Sequence, residues 1–176
     1  MRAVILTGFM GTGKSSVGTI LARMTGWEFM DLDALIVQAA GRTINELFAE
    51  HGEQYFRTLE SAELRKVAER SGTLILATGG GAILAPENRA IFRQMGAVVN
   101  LTAAPDAISA RLRHADDRPL LGDGASREKI ERMLQEREPC YAEADIRIDT
   151  AGKKIEDVAA EIMAYLEKDG QKEGLG

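Results

Sequence analysis

Eight consecutive residues near the amino terminus have the types and spacing that bind a phosphate chain. The segment begins at Gly8, ends at Ser15 and follows the pattern G-x-x-x-x-G-K-S. Glycines let backbone N–H groups point inward around an anion, and a helix that follows adds the positive end of its dipole. In this pattern the lysine reaches the β- and γ-phosphates, and the serine hydroxyl is a ligand of Mg²⁺. We therefore expect a nucleoside triphosphate to be bound by Gly11, Thr12, Gly13, Lys14, Ser15 and Ser16.

The elements that position this segment follow from the apolar pattern. Short apolar runs alternate with stretches of helical periodicity, which predicts an α/β fold with a mostly parallel sheet. The predicted strands span residues 2–7, 28–32, 73–78, 97–101 and 146–149, and the helices with predicted ends span 14–25, 53–71, 86–95, 126–138 and 154–168. Further helices are predicted to begin after Thr43 and at Pro105. Ligands of such sheets bind at the carboxyl ends of the strands. The phosphate-binding segment and the triplet Gly79, Gly80 and Gly81 both follow strands, so both fall on that edge.

Two acids, Asp31 and Asp33, lie at the end of the second predicted strand. If the strand persists through both, its period of two puts them on one face. Asp31 is then placed to hold Mg²⁺, directly or through water, and Asp33 to accept the hydroxyl proton of an acceptor substrate. The alternative is that the acids are solvated and cap the next helix.

The absence of two motifs excludes some classes of nucleotide-binding protein, and three arginines indicate where further anionic groups could bind. The chain has no N-K-x-D motif of a GTPase, and its third strand ends in glycines rather than in the acid of a motor or transport ATPase. Arg57, Arg118 and Arg137 lie in separate segments that can face the same edge of the sheet. Arg118 lies in a polar loop followed by Gly122 and Gly124, and such a loop can close over phosphates and exclude water.

Composition excludes several other classes of protein. The 176 residues include 22 basic and 27 acidic side chains, a net charge of −5, which argues against a general nucleic-acid binder. Cys140 is the single cysteine and is joined by two histidines, too few for a disulfide framework or a zinc cluster. No signal-peptide core and no apolar stretch of membrane-spanning length is present, so we expect a cytoplasmic protein.

The chain resembles the shikimate kinase family from about residue 4 to residue 166. Six segments in the family's order carry the resemblance: GFMGTGKS, DLD at 31–33, EQYFRTLE around Arg57, TGGG at 78–81, RPLL at 118–121 and REPCY at 137–141. The resemblance implies a nucleoside-monophosphate-kinase-like fold, a five-stranded parallel sheet flanked by helices. It also implies one kinase domain over residues 1–168, with a substrate-binding lobe at about 32–60 and a lid at about 112–124. Separately, the terminal segment DGQKEGLG at 169–176 is expected to be a frayed tail.

The same resemblance implies the reaction and the residues that perform it. The γ-phosphoryl group of ATP passes to the 3-hydroxyl of shikimate, in aromatic amino-acid biosynthesis, with Mg²⁺ as cofactor. The catalytic residues are then Lys14, Asp33 and Arg118. The substrate is bound by Asp33, Arg57, Gly79, Gly80, Gly81 and Arg137, with the arginine pair on its carboxylate. Arg111 on the adenine, Arg118 and Lys153 join the nucleotide site, and the metal ligands are Ser15 and Asp31.

Some assignments remain open between two interpretations. Glu60 follows Arg57 by three residues on one helix face and is placed to hold that arginine. Phe48 and Phe56 match walls of the substrate pocket, or they belong to the ordinary core. Lys153 occupies a loop where relatives often carry arginine. Alternative functions are a gluconate or other small-metabolite kinase of the same fold, or a non-catalytic nucleotide-binding regulator. We expect a monomer that binds neither nucleic acid nor membrane.

Overall fold

Five parallel strands form one sheet in the computed structural model, which describes residues 2–112 and 126–173. The strands lie in the order β2-β3-β1-β4-β5. Their bounds are β1 Arg2–Gly8, β2 Glu28–Asp31, β3 Thr73–Ala77, β4 Gly96–Thr102 and β5 Ile146–Asp149. The predicted five-stranded parallel sheet is confirmed.

Helices cover both faces of this sheet. They are α1 Lys14–Thr25, α2 Leu32–Ala40, α3 Ile44–Ala68, α4 Pro86–Met95, α5 Pro105–Leu112, α6 Arg127–Tyr141 and α7 Ile155–Glu173, with a 3₁₀ turn at Ala82–Leu84. Arg118 and the expected lid, apart from Leu112 at the end of α5, lie outside the described residues. None of the described helices is long and apolar enough to cross a membrane.

The central strand β1 is buried on both faces because its side chains alternate between two hydrophobic clusters. Ile5 packs in the cluster that contains Leu32 of α2, whereas Leu6 packs in the cluster that contains Leu21 of α1 and Ile162 of α7. Because β1 is packed on both faces, the position of its carboxyl end is fixed by the core. The phosphate-binding segment starts from that end.

The turn from β2 into α2 differs from the prediction. The strand ends at Asp31 and the helix begins at Leu32, so Asp33 lies in the first turn of a helix rather than on a strand face. The physical reason is a cap: the Asp31 carboxylate accepts hydrogen bonds from the backbone N–H groups of Asp33 and Ala34. The capping alternative is therefore correct for Asp31, and the shared strand face is wrong.

Three helices differ from their predicted bounds at the carboxyl end: α3 ends at Ala68, before the predicted residue 71, whereas α6 and α7 end later than predicted. The capping box of Thr43 and Glu46 begins α3, and Gly52 breaks its regularity with φ 79°. The helix α6 passes through Pro139 and ends at Tyr141, three residues beyond the predicted end. The helix α7 continues to Glu173, so the first part of the expected frayed tail is helical. Extending an existing helix is easier than starting one, because each added residue gains a hydrogen bond.

Candidate active site

The loop between β1 and α1 forms one wall of a cavity of about 170 Å³ at the carboxyl edge of the sheet. Gly11 and Gly13 have φ values of 79° and 92°, which favour glycine and let the backbone turn around the cavity. The other walls include Ser15, Asp31 and Asp33. The predicted phosphate site and both acids are thus brought together.

Lys14 lies along this loop. Its Nζ donates hydrogen bonds to the carbonyl oxygens of Gly8 and Phe9, at 2.9 and 3.0 Å. The Thr12 hydroxyl also donates to the Phe9 oxygen, at 2.7 Å, and Thr12 is buried. The Thr12 side chain therefore stabilises the loop from within, while Lys14 lines the cavity.

Ser15, in the first turn of α1, and Asp31, at the end of β2, are hydrogen-bonded to each other at the cavity. The Ser15 hydroxyl donates to Asp31 Oδ2 at 2.6 Å, and Asp31 Oδ1 accepts from the N–H of Asp33 at 3.1 Å. A hydroxyl and a carboxylate are ligand types that suit Mg²⁺, which keeps its remaining positions for phosphates and water. The described residues contain no group of three or more His, Cys, Asp or Glu side chains able to hold a metal. The donor set fits a phosphate-bound Mg²⁺ rather than a site built wholly from protein.

Arg57 on α3 is held by two acids of its own helix. Its Nη1 donates to Glu60 Oε2 at 2.8 Å, and its Nη2 donates to Glu53 Oε1 at 3.1 Å. The prediction that Glu60 holds Arg57 is confirmed. Burial works to lower the pKa of Arg57, but the two acids outweigh it and raise the pKa above its usual range. The guanidinium therefore stays cationic, 5.3 Å from the centroid of the Phe56 ring.

The two carboxylate oxygens of Glu60 differ in their hydrogen bonding. Glu60 is fully buried, and its Oε1 has no hydrogen-bond partner in the described structure. Burial is the largest cause that raises the pKa of Glu60, to about 6; Arg57 opposes the rise, and the Asp33 carboxylate adds to it. Sequence reasoning identified Glu60 as the partner of Arg57 but missed its approach to Asp33, since the two lie on different helices.

The glycine triplet lies between these side chains. A Cβ atom on Gly79 would be 2.6 Å from Glu60 Oε1 and 2.8 Å from Asp33 Oδ1, and one on Gly81 would overlap the Arg57 guanidinium. A side chain at 79 or 81 would therefore displace these charged groups, which favours glycine at both positions. Asp33 and Arg57, predicted separately, thus both lie against the glycine triplet.

Arg137 reaches the same triplet from α6. It is buried, its Nη1 donates to the Gly80 carbonyl at 3.1 Å, and its guanidinium lies 5.3 Å from the centroid of the Phe9 ring. Tyr141 donates its hydroxyl to the same Gly80 oxygen at 2.9 Å. Sequence reasoning missed Tyr141; the signal was its position four residues after Arg137, on the same face of one helix.

A second cavity, of about 340 Å³, adjoins the other side of the phosphate-binding loop. Arg111 on α5 lines it and donates to the Gly11 carbonyl at 2.9 Å and to the Thr150 hydroxyl at 3.2 Å. Lys153 also lines it, with its Nζ 2.6 Å from Glu161 Oε1. Two predicted nucleotide-binding residues thus share a cavity next to the loop. Thr150, which sequence reasoning did not single out, joins them.

The two predicted aromatic walls pack against each other. The rings of Phe48 and Phe56 have centroids 4.8 Å apart. Phe56 is buried in the core cluster and Phe48 packs on its edge. Phe56 therefore belongs to the core and contacts Arg57, whereas the role of either ring as a wall of the substrate pocket stays a prediction.

The loop between β1 and α1 lies at the carboxyl edge of a five-stranded parallel sheet, beside a cluster of arginines and acids around the glycine triplet. This arrangement is that of a P-loop kinase. A family model described as shikimate kinase matches residues 10–167. The chain belongs to the shikimate kinase family, and it is an enzyme of the kinase class.

Individual relatives agree with this membership. Shikimate kinase of Geobacter metallireducens is 56% identical over 95% of this chain and 93% of its own, and that of Geobacter sulfurreducens is 52% identical over 94% and 91%. The structure of shikimate kinase from Acinetobacter baumannii in complex with shikimate superposes with a TM-score of 0.91 at 36% identity, over 96% and 94% of the two chains. A gluconokinase from Sinorhizobium meliloti, at 19% identity and a TM-score of 0.64, shares the fold alone.

Proposed function

We propose that this chain transfers the γ-phosphoryl group of ATP to the 3-hydroxyl of shikimate, giving shikimate 3-phosphate and ADP. The observation that carries the proposal is the convergence of Arg57 and Arg137 on the glycine triplet, beside Asp33 and the phosphate-binding loop. Shikimate offers one planar carboxylate and several ring hydroxyls. Paired guanidinium groups suit a carboxylate, and a carboxylate such as Asp33 suits hydroxyls.

The nucleotide half of the site supports ATP as the donor. The loop glycines and the start of α1 favour the triphosphate, and Lys14 exchanges its contacts with the Gly8 and Phe9 carbonyls for contacts with the β- and γ-phosphates. The cavity lined by Arg111 and Lys153 is placed to take the base. Arg118, with the lid at 112–124, closes over the phosphates in this proposal.

Ser15 and Asp31 are the residues that would hold Mg²⁺. A bound ion would supply positive charge that neutralises part of the negative charge on the phosphates. The hydrogen bond between Ser15 and Asp31 keeps both oxygens on one side of the cavity, next to the loop. This arrangement leaves Asp33, one residue into α2, on the side of the acceptor.

Asp33 orients the acceptor hydroxyl and takes its proton as the phosphoryl group arrives. Phosphoryl transfer depends mostly on positioning and charge stabilisation, so an acid at this place needs only to align the hydroxyl and accept one proton. Its carboxylate lies beside Gly79, across from Glu60. The electrostatic repulsion between these two acids favours a hydroxyl donor between them.

A coupled ADP-release assay tests the proposal against its alternatives. The acceptors are shikimate, gluconate and a nucleoside monophosphate, each with ATP and Mg²⁺, and ATP alone is the blank. We expect turnover with shikimate only. Turnover with gluconate instead would support a small-metabolite kinase, and ATP binding without turnover on any acceptor would support a nucleotide-binding regulator.

We also propose a cytoplasmic, monomeric enzyme that acts in aromatic amino-acid biosynthesis. Membership of the shikimate kinase family supports the pathway. Sedimentation velocity tests the oligomeric state, with a single species of one-chain mass as the expected result. A larger species that persists on dilution would contradict the monomer.

A further inference from the structure

The carbonyl oxygen of Gly80 accepts hydrogen bonds from two side chains of α6. Tyr141 Oη lies at 2.9 Å and Arg137 Nη1 at 3.1 Å. Both residues are almost completely buried, with 3% and 5% of their surface exposed. A carbonyl oxygen has two lone pairs, so these two donors occupy its full capacity.

The neighbouring carbonyls of this segment are occupied as well. Asn88 Nδ2 donates to the Ala82 oxygen at 3.0 Å, and Arg89 Nη1 donates to the Ile83 oxygen at 2.9 Å. The Gly79 oxygen accepts from the Ala82 N–H at 3.1 Å. In the described part of the chain, the N–H groups of the three glycines donate to no backbone carbonyl. The peptide planes are thus held by their oxygens, and their N–H groups remain for a ligand.

Arg137 differs from these other donors because it has a second proposed role, in substrate binding. In the proposed function its guanidinium also binds the substrate carboxylate, in an exchange in which Nη1 leaves the Gly80 oxygen for that carboxylate. A buried carbonyl that loses its partner is destabilising, because it keeps the cost of leaving water without the compensating bond. If Arg137 leaves the Gly80 oxygen, this cost is avoided only when a second donor remains hydrogen-bonded to that oxygen.

We propose that Tyr141 is a positioning residue for substrate binding: its hydroxyl keeps the Gly80 carbonyl paired when Arg137 turns to the substrate carboxylate. The inference rests on the proposed role of Arg137. Tyr141 touches neither substrate nor nucleotide in this scheme and acts through Gly80 and Arg137. Its effect therefore falls on shikimate affinity and not on the affinity for ATP.

The first test compares Tyr141→Phe with Tyr55→Phe. Tyr141→Phe removes one oxygen and keeps the ring, while Tyr55 is 43% exposed on α3 and serves as the control. We expect Tyr141→Phe to weaken shikimate binding about tenfold, or about 1.4 kcal/mol, in isothermal titration. The KM for ATP should stay within about twofold of wild type, and Tyr55→Phe should match wild type in both. An unchanged shikimate affinity in Tyr141→Phe would overturn the inference.

The second test separates this role from a merely structural one. In an Arg137→Ala background no guanidinium leaves Gly80, so adding Tyr141→Phe should weaken shikimate binding by less than about twofold further. A further tenfold loss in the double variant would mean that Tyr141 simply maintains the loop. Wild-type protein that fails to bind shikimate would instead refute the proposed function, so the two failures are distinguishable.

A crystal structure of the wild-type chain with shikimate tests the inference without any variant. We expect the distance from Arg137 Nη1 to the Gly80 oxygen to exceed about 3.5 Å, while Tyr141 Oη remains within hydrogen-bond distance. If Arg137 binds the shikimate carboxylate and also keeps its hydrogen bond to the Gly80 oxygen, the proposed role of Tyr141 is wrong.

Discussion

Arg57 and Glu60 lie one helical turn apart on α3, and the guanidinium Nη1 is 2.8 Å from the carboxylate Oε2. The pair is unequal, because Arg57 faces the pocket while Glu60 is fully buried. Glu60 holds Arg57 in place with one oxygen and leaves its other oxygen unpaired beside Gly79. The contact that orients Arg57, the arginine proposed to bind the substrate carboxylate, therefore places the Glu60 carboxylate in the core at a cost in stability.

Glu60 should make folding stability depend on pH. Its pKa is raised from 4.5 to about 6 in the folded protein, so the folded state binds the proton more tightly than the unfolded state. The resulting stability is fully present below pH 4.5 and is lost as pH rises through about 6. A shift of this size corresponds to about 2 kcal/mol. Urea denaturation of Glu60→Gln and wild type should show the variant gaining about 2 kcal/mol relative to wild type between pH 4.5 and 7.5.

The matched control for Glu60→Gln is Glu63→Gln on the same helix, whose carboxylate is paired with Lys66. Its stability relative to wild type should vary much less over this range. A constant difference between Glu60→Gln and wild type at all pH values would show that the Glu60 carboxyl titrates alike in the folded and unfolded chain.

Lys14→Ala should abolish measurable turnover and leave the fold intact. The side chain lies on the phosphate-binding loop, and its removal breaks its hydrogen bonds to two loop carbonyls. The control is Lys66→Ala, whose side chain is 67% exposed on α3. ADP release measures the rate, and thermal unfolding measures the fold. Near-normal turnover in Lys14→Ala would contradict the assignment of this loop to the phosphates.

Asp33→Asn should lower kcat by about 10²- to 10⁴-fold, because the amide keeps the shape of the side chain but accepts a proton poorly. ATP affinity should stay nearly unchanged. Asp31→Asn is the comparison, and it should raise the Mg²⁺ concentration needed for half-maximal rate, since Asp31 faces Ser15. If ATP binding collapses in Asp33→Asn instead, the division of labour between the two acids is wrong.

Arg57→Ala and Arg118→Ala should change different quantities, the first shikimate affinity and the second kcat. Loss of a charge-assisted contact costs about 1.5–3 kcal/mol, so Arg57→Ala should weaken shikimate binding roughly 10- to 150-fold. Arg118→Ala should lower kcat and leave shikimate affinity within a few-fold, because in the proposed function Arg118 acts on charge that develops during transfer. Arg65→Ala, exposed on α3, is the control. Equal losses of shikimate affinity in both variants would mean that the two roles are not separable.

Features built from neighbouring residues could be predicted from the sequence. The phosphate-binding loop is continuous from Gly8 to Ser15, and Arg57 and Glu60 share one helix face. The strands of the sheet followed from apolar runs, with ends within one or two residues of those observed. The end of β2 was misplaced, because the Asp31 side chain decides it by capping α2.

Contacts between distant segments depended on the tertiary structure. The order β2-β3-β1-β4-β5 brings the end of β2, the glycine triplet after β3 and the loop after β1 side by side. Asp33 thereby faces Glu60 across Gly79, and Arg137 meets Gly80 from 57 residues away. Spacing in the chain carries no information about such distances, because packing of the two hydrophobic clusters sets them. Residue types and local geometry were thus determined by the sequence itself, whereas the shared Gly80 carbonyl and the unpaired oxygen of Glu60 arise only when the helices pack on the sheet.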